Sequence, residues 1–162
     1  MKAVLAILLR VESGLAVIAY LVVAGLLLGE IIARELLATT IWGSQQMAVF
    51  AAIVAAFLGL SLATAANSHL RPQFADYWWP EAWHGALERI GDLISCLLYV
   101  GLGIITGLYI ADTFINEDRA AVLYWPLWPF QIVIGYAFVS SAIRHLAFAL
   151  WPGLKPAPAA GG

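Results

Sequence analysis

The chain has 162 residues, of which 63% are hydrophobic and 11% are charged, and its formal net charge is −2. A soluble domain is about 45–50% apolar and about 25% charged, so this composition predicts an integral membrane protein. The near-neutral charge gives no basic surface for nucleic acid, and the single cysteine excludes an intrachain disulfide and a metal site built from cysteines.

Four long segments contain no Asp, Glu, Lys or Arg: residues 13–29, 36–70, 93–111 and 120–143. A helix needs about 20 residues to cross a bilayer, so each segment is long enough. Charges inside a membrane usually mark ion or substrate pathways, and these segments have none. The sequence therefore predicts an all-α membrane protein with four transmembrane helices that does not itself carry a substrate.

The predicted spans cover approximately residues 13–37, 44–66, 86–113 and 126–151, within a single membrane domain over residues 1–162. Residues 1–10 predict a short amphipathic lead-in to the first span. Arg10 and Glu12 interrupt its apolar stretch, and no small-residue cleavage site follows, which disfavours a signal peptide. Residues 155–162 predict a disordered tail.

The first predicted span carries a pair of glycines and a pair of charges near its second end. Gly25 and Gly29 form a GxxxG pair, which allows a neighbouring helix to approach closely. Glu30 and Arg34 are one helical turn apart, with the acid before the base, and this spacing predicts a local ion pair at the membrane edge. A contact with a partner subunit is the alternative for these charges.

The second predicted span is rich in small residues, including Ala52 and Gly59, and therefore predicts close helix packing. Trp42, in the turn before it, suits an anchor at the membrane interface. The connector that follows, residues 67–85, contains a cluster of Tyr and Trp and predicts a short segment lying in the interface.

The third predicted span contains a second GxxxG pair, Gly103 and Gly107. The connector after it is the most polar stretch of the chain and contains Glu117, Asp118 and Arg119. The fourth span opens with prolines, which suit the first turn of a helix because a missing N–H costs little there.

Basic residues are distributed unequally between the two sides of the predicted bundle. The side with both termini holds Lys2, Arg10, Arg71, Arg89, Arg144 and Lys155, and the other side holds Arg34 and Arg119. The positive-inside rule then places both termini in the cytoplasm and the two short connectors outside. Glu12, Asp92 and Arg144 should lie at similar depth on the cytoplasmic side. They predict a structural polar cluster that fixes helix order, with a functional gate as the alternative.

Two other functional classes deserve comparison. A haem-binding redox anchor needs two facing histidines, and it would have to bring His69 or His84 back to His145. A self-contained small multidrug-type transporter needs an acid within the first span, whereas Glu12 and Glu30 lie at its ends. No nucleophile–base arrangement or phosphate loop is visible, so the sequence does not predict an enzyme.

Residues 30–71 contain a recognisable order of features: Arg34, Trp42, Gln45 with Gln46, Gly59, and His69 with Arg71. This order resembles the small membrane subunit, the DctQ family, of tripartite ATP-independent periplasmic (TRAP) transporters. The resemblance extends over roughly residues 10–151. Members usually have Glu at the position of Gln46, so an ion pair made by that acid would here become a neutral hydrogen bond.

The resemblance implies an accessory scaffold subunit in the bacterial inner membrane. In this family a large permease subunit (DctM-like) carries the substrate together with sodium ions in symport, by an elevator-type motion, and a periplasmic binding protein delivers the substrate. The small subunit would then need no cofactor of its own and would contact the permease, the binding protein and membrane lipids. The imported substrate would be an organic acid.

These expectations assign two groups of residues. Partner contacts are expected at the outward connectors, with a merely solvated loop as the alternative: Arg34, Glu35, Trp42, Gln46, Glu117, Asp118 and Arg119. Helix packing is expected at the small residues of the spans: Gly25, Gly29, Ala52, Gly59, Gly103 and Gly107.

Overall fold

The computed structural model describes residues 2–66 and 83–155. These ranges form four long helices, named α1 (Lys2–Leu37), α2 (Ser44–Ala65), α3 (His84–Ile115) and α4 (Trp128–Leu150). A short 3₁₀ turn, Pro152–Leu154, follows α4. Each long helix contains a stretch that is long and apolar enough to cross a membrane. The prediction of an all-helical protein with four such helices is therefore confirmed.

The first helix is longer than its predicted span. With 36 residues, α1 extends over about 54 Å, whereas the hydrocarbon core of a bilayer is about 30 Å thick. The predicted lead-in and the first span form one continuous helix, because no proline interrupts residues 2–37. Residues 67–82 of the predicted interfacial segment lie outside the described residues. Its last residues are described: Trp83 precedes α3, and residues 84–85 are the first two of that helix. The predicted tail beyond Lys155 also lies outside the described residues.

The fourth helix begins two residues after its predicted start. Pro126 belongs to the loop before α4, where it forms an isolated antiparallel bridge with Arg119. The amide of Ala120 also donates to the carbonyl of Trp125 over 2.8 Å. These backbone contacts keep Pro126 out of α4, and Pro129 is the proline that lies in the first turn of this helix.

The helices pack in the order α1, α2, α4, α3. The first helix packs mainly against α2, α2 also packs against α4, and α4 packs against α3. The two central helices bury small residues where they meet neighbours, and Ala137 of α4 has no exposed surface. Since lipid provides no hydrophobic force between helices, close approach of small residues supplies the packing. The flanking helices expose large apolar side chains, among them Ile18 and Leu97.

Hydroxyl groups join the two central helices. The Thr64 hydroxyl donates to the Ser141 hydroxyl over 3.2 Å, and the Ser61 hydroxyl reaches the carbonyl of Ala137 at 3.5 Å. All three hydroxyl-bearing residues are fully buried. Hydrogen bonds of this kind across membrane helices contribute about 0.6–2 kcal/mol each.

Only some of the predicted packing residues approach another part of the chain. A Cβ added at Gly103 would lie 3.7 Å from Val139 of α4, and one at Gly29 would lie 3.7 Å from Ile41. Gly135 of α4, which the sequence pattern did not indicate, faces Ile110 and Thr106 of α3. The remaining predicted residues face open space or are exposed within this chain: Gly25, Ala52, Gly59 and Gly107.

Candidate functional site

Buried polar side chains gather near the two ends of the helix bundle, here called the Glu12 end and the Glu30 end. Along α1, Glu12 and Glu30 are about 27 Å apart at a rise of about 1.5 Å per residue. This distance is close to the thickness of the hydrocarbon core, about 30 Å. The two carboxylates therefore mark the two edges of the apolar part of the bundle.

At the Glu12 end, one buried carboxylate joins α1 to α4. Glu12 is 0% exposed, and its Oε1 accepts hydrogen bonds of 2.8 Å from the hydroxyls of Tyr136 and Ser140. Its Oε2 accepts a hydrogen bond from Nη2 of Arg144, which completes a buried ion pair. The three α4 residues are spaced by four positions and so share the helix face directed at α1.

A second carboxylate at the Glu12 end joins α3 to α4 and to the segment after it. Oδ1 of Asp92 lies 3.1 Å from Nδ1 of His145, and Oδ2 accepts a 2.8 Å hydrogen bond from Nζ of Lys155. Arg144 and His145 are neighbours on a helix and point about 100° apart, so they serve different partner helices. The structure thus brings Glu12 and Arg144 together and gives Asp92 other partners, so the predicted cluster of three is two separate contacts.

The His145 ring is enclosed by aromatic residues as well as by Asp92. It stacks on Tyr99 with ring centroids 5.6 Å apart and meets Phe148 edge-on. A haem site would require a second histidine, His69 or His84, facing the His145 ring. Of these two, His69 lies outside the described residues. Within residues 2–66 and 83–155, no group of three or more His, Cys, Asp or Glu could hold a metal ion.

At the Glu30 end, a carboxylate ties the turn between α1 and α2 to α1. Glu30 is 8% exposed, and its Oε2 accepts a 2.9 Å bond from the amide of Ile41 and a 2.7 Å bond from the Ser44 hydroxyl. Ser44 opens α2, so the negative charge lies at the favourable end of that helix dipole. The predicted Glu30–Arg34 ion pair is not formed, and Nε of Arg34 lies 3.7 Å from the exposed Glu35 carboxylate instead.

Gln46 ties the loop between α3 and α4 to α2. Its Oε1 accepts two backbone N–H groups, from Val122 at 3.1 Å and from Leu123 at 2.9 Å. This contact needs only an acceptor oxygen, which both Gln and Glu possess. The side chain is half-buried and engages its own chain, although the sequence pattern placed it among the partner contacts.

The other predicted contact residues are exposed at the Glu30 end. They belong to the end of α1, the α1–α2 turn and the α3–α4 loop: Arg34, Glu35, Trp42, Glu117, Asp118 and Arg119. One weak ion pair occurs among the loop charges, with Nη2 of Arg119 at 3.8 Å from Glu117. The bonds made by Glu30 and Gln46 hold both connectors at this end, so residues distant in sequence share one surface.

A comparison with protein families identifies the chain. The model of the DctQ component of tripartite ATP-independent periplasmic transporters matches residues 23–151. The chain belongs to this family. Comparison with individual curated proteins gave no significant match. The DctQ family is a transporter component and not an enzyme family, and it works with a DctM subunit and a substrate-binding protein in TRAP transporters.

The DctQ match covers most of the polar contacts but begins after Glu12, whereas Arg144 lies inside it. Tyr136 and Ser140 were not predicted as partners of Glu12, although their spacing of four positions from Arg144 was visible in the sequence. The contacts of Asp92 with His145 and Lys155 had no comparable signal, because they depend on how α3 lies against α4.

Proposed function

We propose that this chain is the small, stationary subunit of a sodium-driven TRAP transporter that imports an organic acid across the bacterial inner membrane. The observation that carries the proposal, beside the DctQ match, is where its charges lie. The carboxylates of Glu12 and Glu30 are hydrogen-bonded at opposite ends of the bundle, and the middle of each of the four helices contains no Asp, Glu, Lys or Arg. A bundle without charges in its middle suits a subunit that supports the permease rather than one that conducts ions or substrate.

In this proposal the large permease subunit holds the sodium ions and the substrate, and this chain supports its fixed part. The flanking helices α1 and α3 carry the exposed apolar surface that lipid and the permease would cover. No cofactor is assigned to this chain. The haem anchor and the self-contained multidrug-type transporter have no specific observation in their favour.

The proposed orientation places both termini and the Glu12 end in the cytoplasm, and the Glu30 end in the periplasm. The excess of Lys and Arg on the side of the termini supports it. The exposed charges and Trp42 of the Glu30 end then face the compartment of the binding protein. We assign this end to docking of that protein.

Reconstitution tests the proposal. The chain and its large permease subunit should co-purify, and liposomes containing both should take up substrate when a sodium gradient and the binding protein are supplied. Liposomes with this chain alone are the control and should show no uptake. Uptake by the chain alone, or failure to co-purify with the permease, would overturn the proposal.

Labelling tests the orientation. In a chain with Cys96→Ala, a cysteine introduced at the exposed Thr39 should react with a membrane-impermeant maleimide on intact cells with a permeabilised outer membrane. A cysteine at the exposed Gly153 should react only after the inner membrane is opened. The reverse pattern would place the termini outside.

A further inference from the structure

The two connectors at the Glu30 end are joined by one side chain. The carbonyl oxygen of Gln46, in the first turn of α2, accepts the adjacent amides of Val122 and Leu123 in the α3–α4 loop. These positions are 76 and 77 residues apart in sequence. One amide oxygen therefore sets where the loop lies relative to α2 and the turn before it.

The packing beneath the loop agrees with this placement. Leu123 is 9% exposed and forms a core cluster with Phe50 and Ala120. Gly43 has φ of 76°, and a Cβ added there would lie 2.5 Å from Cδ2 of Leu123. Because the loop lies so close to the turn, a change in its register would clash with Gly43 or expose Leu123.

The surface above this junction combines side chains from both connectors. Trp42 of the turn is 70% exposed and Tyr124 of the loop is 68% exposed. Glu117 and Asp118 add exposed acidic groups from the same loop. Aromatic side chains of this kind supply large contact areas in protein interfaces, and charges at the rim guide association.

We propose that Gln46 is a positioning residue for docking of the periplasmic binding protein: its carbonyl oxygen holds the α3–α4 loop against the α1–α2 turn, so that the two connectors present one preformed surface. The inference rests on the proposed function, because the docking partner is the one assigned there. A preformed surface binds more tightly because less ordering accompanies association. Loss of the acceptor should therefore weaken docking while leaving the membrane steps of transport unchanged.

The test uses the complete complex with the permease and compares three variants with the wild type. Gln46→Leu removes the acceptor at similar side-chain size, and Gln46→Glu keeps an acceptor oxygen. Gln45→Leu is the matched control, because Gln45 is the exposed neighbour in the same helical turn. Hydrogen exchange of the peptide containing Val122 and Leu123 is measured in each complex, together with uptake as a function of binding-protein concentration.

We expect Gln46→Leu to speed exchange at the two amides by about 2- to 10-fold, the range that corresponds to loss of an ordinary, partly exposed hydrogen bond. The binding-protein concentration for half-maximal uptake should rise about fivefold or more, as expected for lost preorganisation. Maximal uptake and the yield of complex should stay within about twofold. Gln46→Glu and Gln45→Leu should resemble the wild type.

Unchanged exchange in Gln46→Leu would overturn the inference, since the loop would then be held by Leu123 packing alone. Faster exchange with an unchanged concentration dependence would overturn it too, because loop position would not affect docking. If Gln46→Glu differed from the wild type in amide exchange or in the binding-protein concentration for half-maximal uptake, more than an acceptor oxygen would be needed, and this result would also count against the inference. If wild-type uptake did not depend on the binding protein, the proposed function itself would fail.

Discussion

Replacing Glu12 with alanine probes the contact between the two helices that α2 separates. The side chains of Glu12 and Arg144 are 1% and 3% exposed, respectively. The substitution leaves a buried guanidinium without its counter-ion and removes the acceptor used by Tyr136 and Ser140. The first helix otherwise packs mainly on α2, so this site is its principal polar link to α4 among the described residues.

The magnitude follows from the burial of the pair. Removing one partner of a buried ion pair costs about 3–5 kcal/mol, most of it from the uncompensated charge. We expect Glu12→Ala to lower the free energy of unfolding by about 4 kcal/mol on this basis. Removing both charges, with Glu12→Ala and Arg144→Met, should cost less than the sum of the single changes by about 2 kcal/mol, since residues in contact do not behave additively.

Reversible unfolding in mixed detergent micelles, followed by circular dichroism, measures these values for the four proteins of a double-mutant cycle. Arg10→Ala is the control, because Arg10 is an exposed cation on the same helix. It should change stability by no more than about 0.5 kcal/mol. An additive cycle, or a loss of less than about 1 kcal/mol in Glu12→Ala, would refute the assignment of this pair as a link between α1 and α4.

Three further changes test other parts of the structure. Gly43→Ala should cost about 1–3 kcal/mol, because the residue has φ of 76° and the added Cβ would lie 2.5 Å from Leu123; an unchanged thermal midpoint would contradict this. Asp92→Ala should cost about 2 kcal/mol in the same detergent assay, since the buried carboxylate that accepts a hydrogen bond from the charged Lys155 is lost; a loss within the error of the assay would argue against it. Glu117→Lys with Asp118→Lys should slow sodium-driven uptake at an unchanged yield of complex, and normal uptake would remove these charges from the docking surface.

The helices and their number could be predicted from the sequence, because a charge in the bilayer core is costly and the long uncharged apolar segments that avoid this cost are visible without any tertiary contact. The exact residues at which the helices begin and end were harder to predict from the sequence. The exclusion of Pro126 from α4 depends on a backbone contact with Arg119 in the folded chain. The sequence predicted Glu12, Asp92 and Arg144 as one cluster at similar depth. In the structure Glu12 contacts Arg144 and Asp92 contacts His145, because the direction of each side chain depends on the rotation of its helix about its axis.

Charge placement along the chain by itself predicted a four-helix membrane protein with an uncharged middle, and the order of features over residues 30–71 indicated the DctQ family. Only the tertiary structure decided which polar groups meet: Asp92 with His145 and Lys155, Glu30 with the turn before α2, and Gln46 with the loop before α4. The reason is that helices in lipid are apolar on nearly every face. The sequence pattern therefore reveals where each helix begins and ends in the membrane, whereas its rotation and its neighbours follow from packing of small residues and from hydrogen bonds between distant positions.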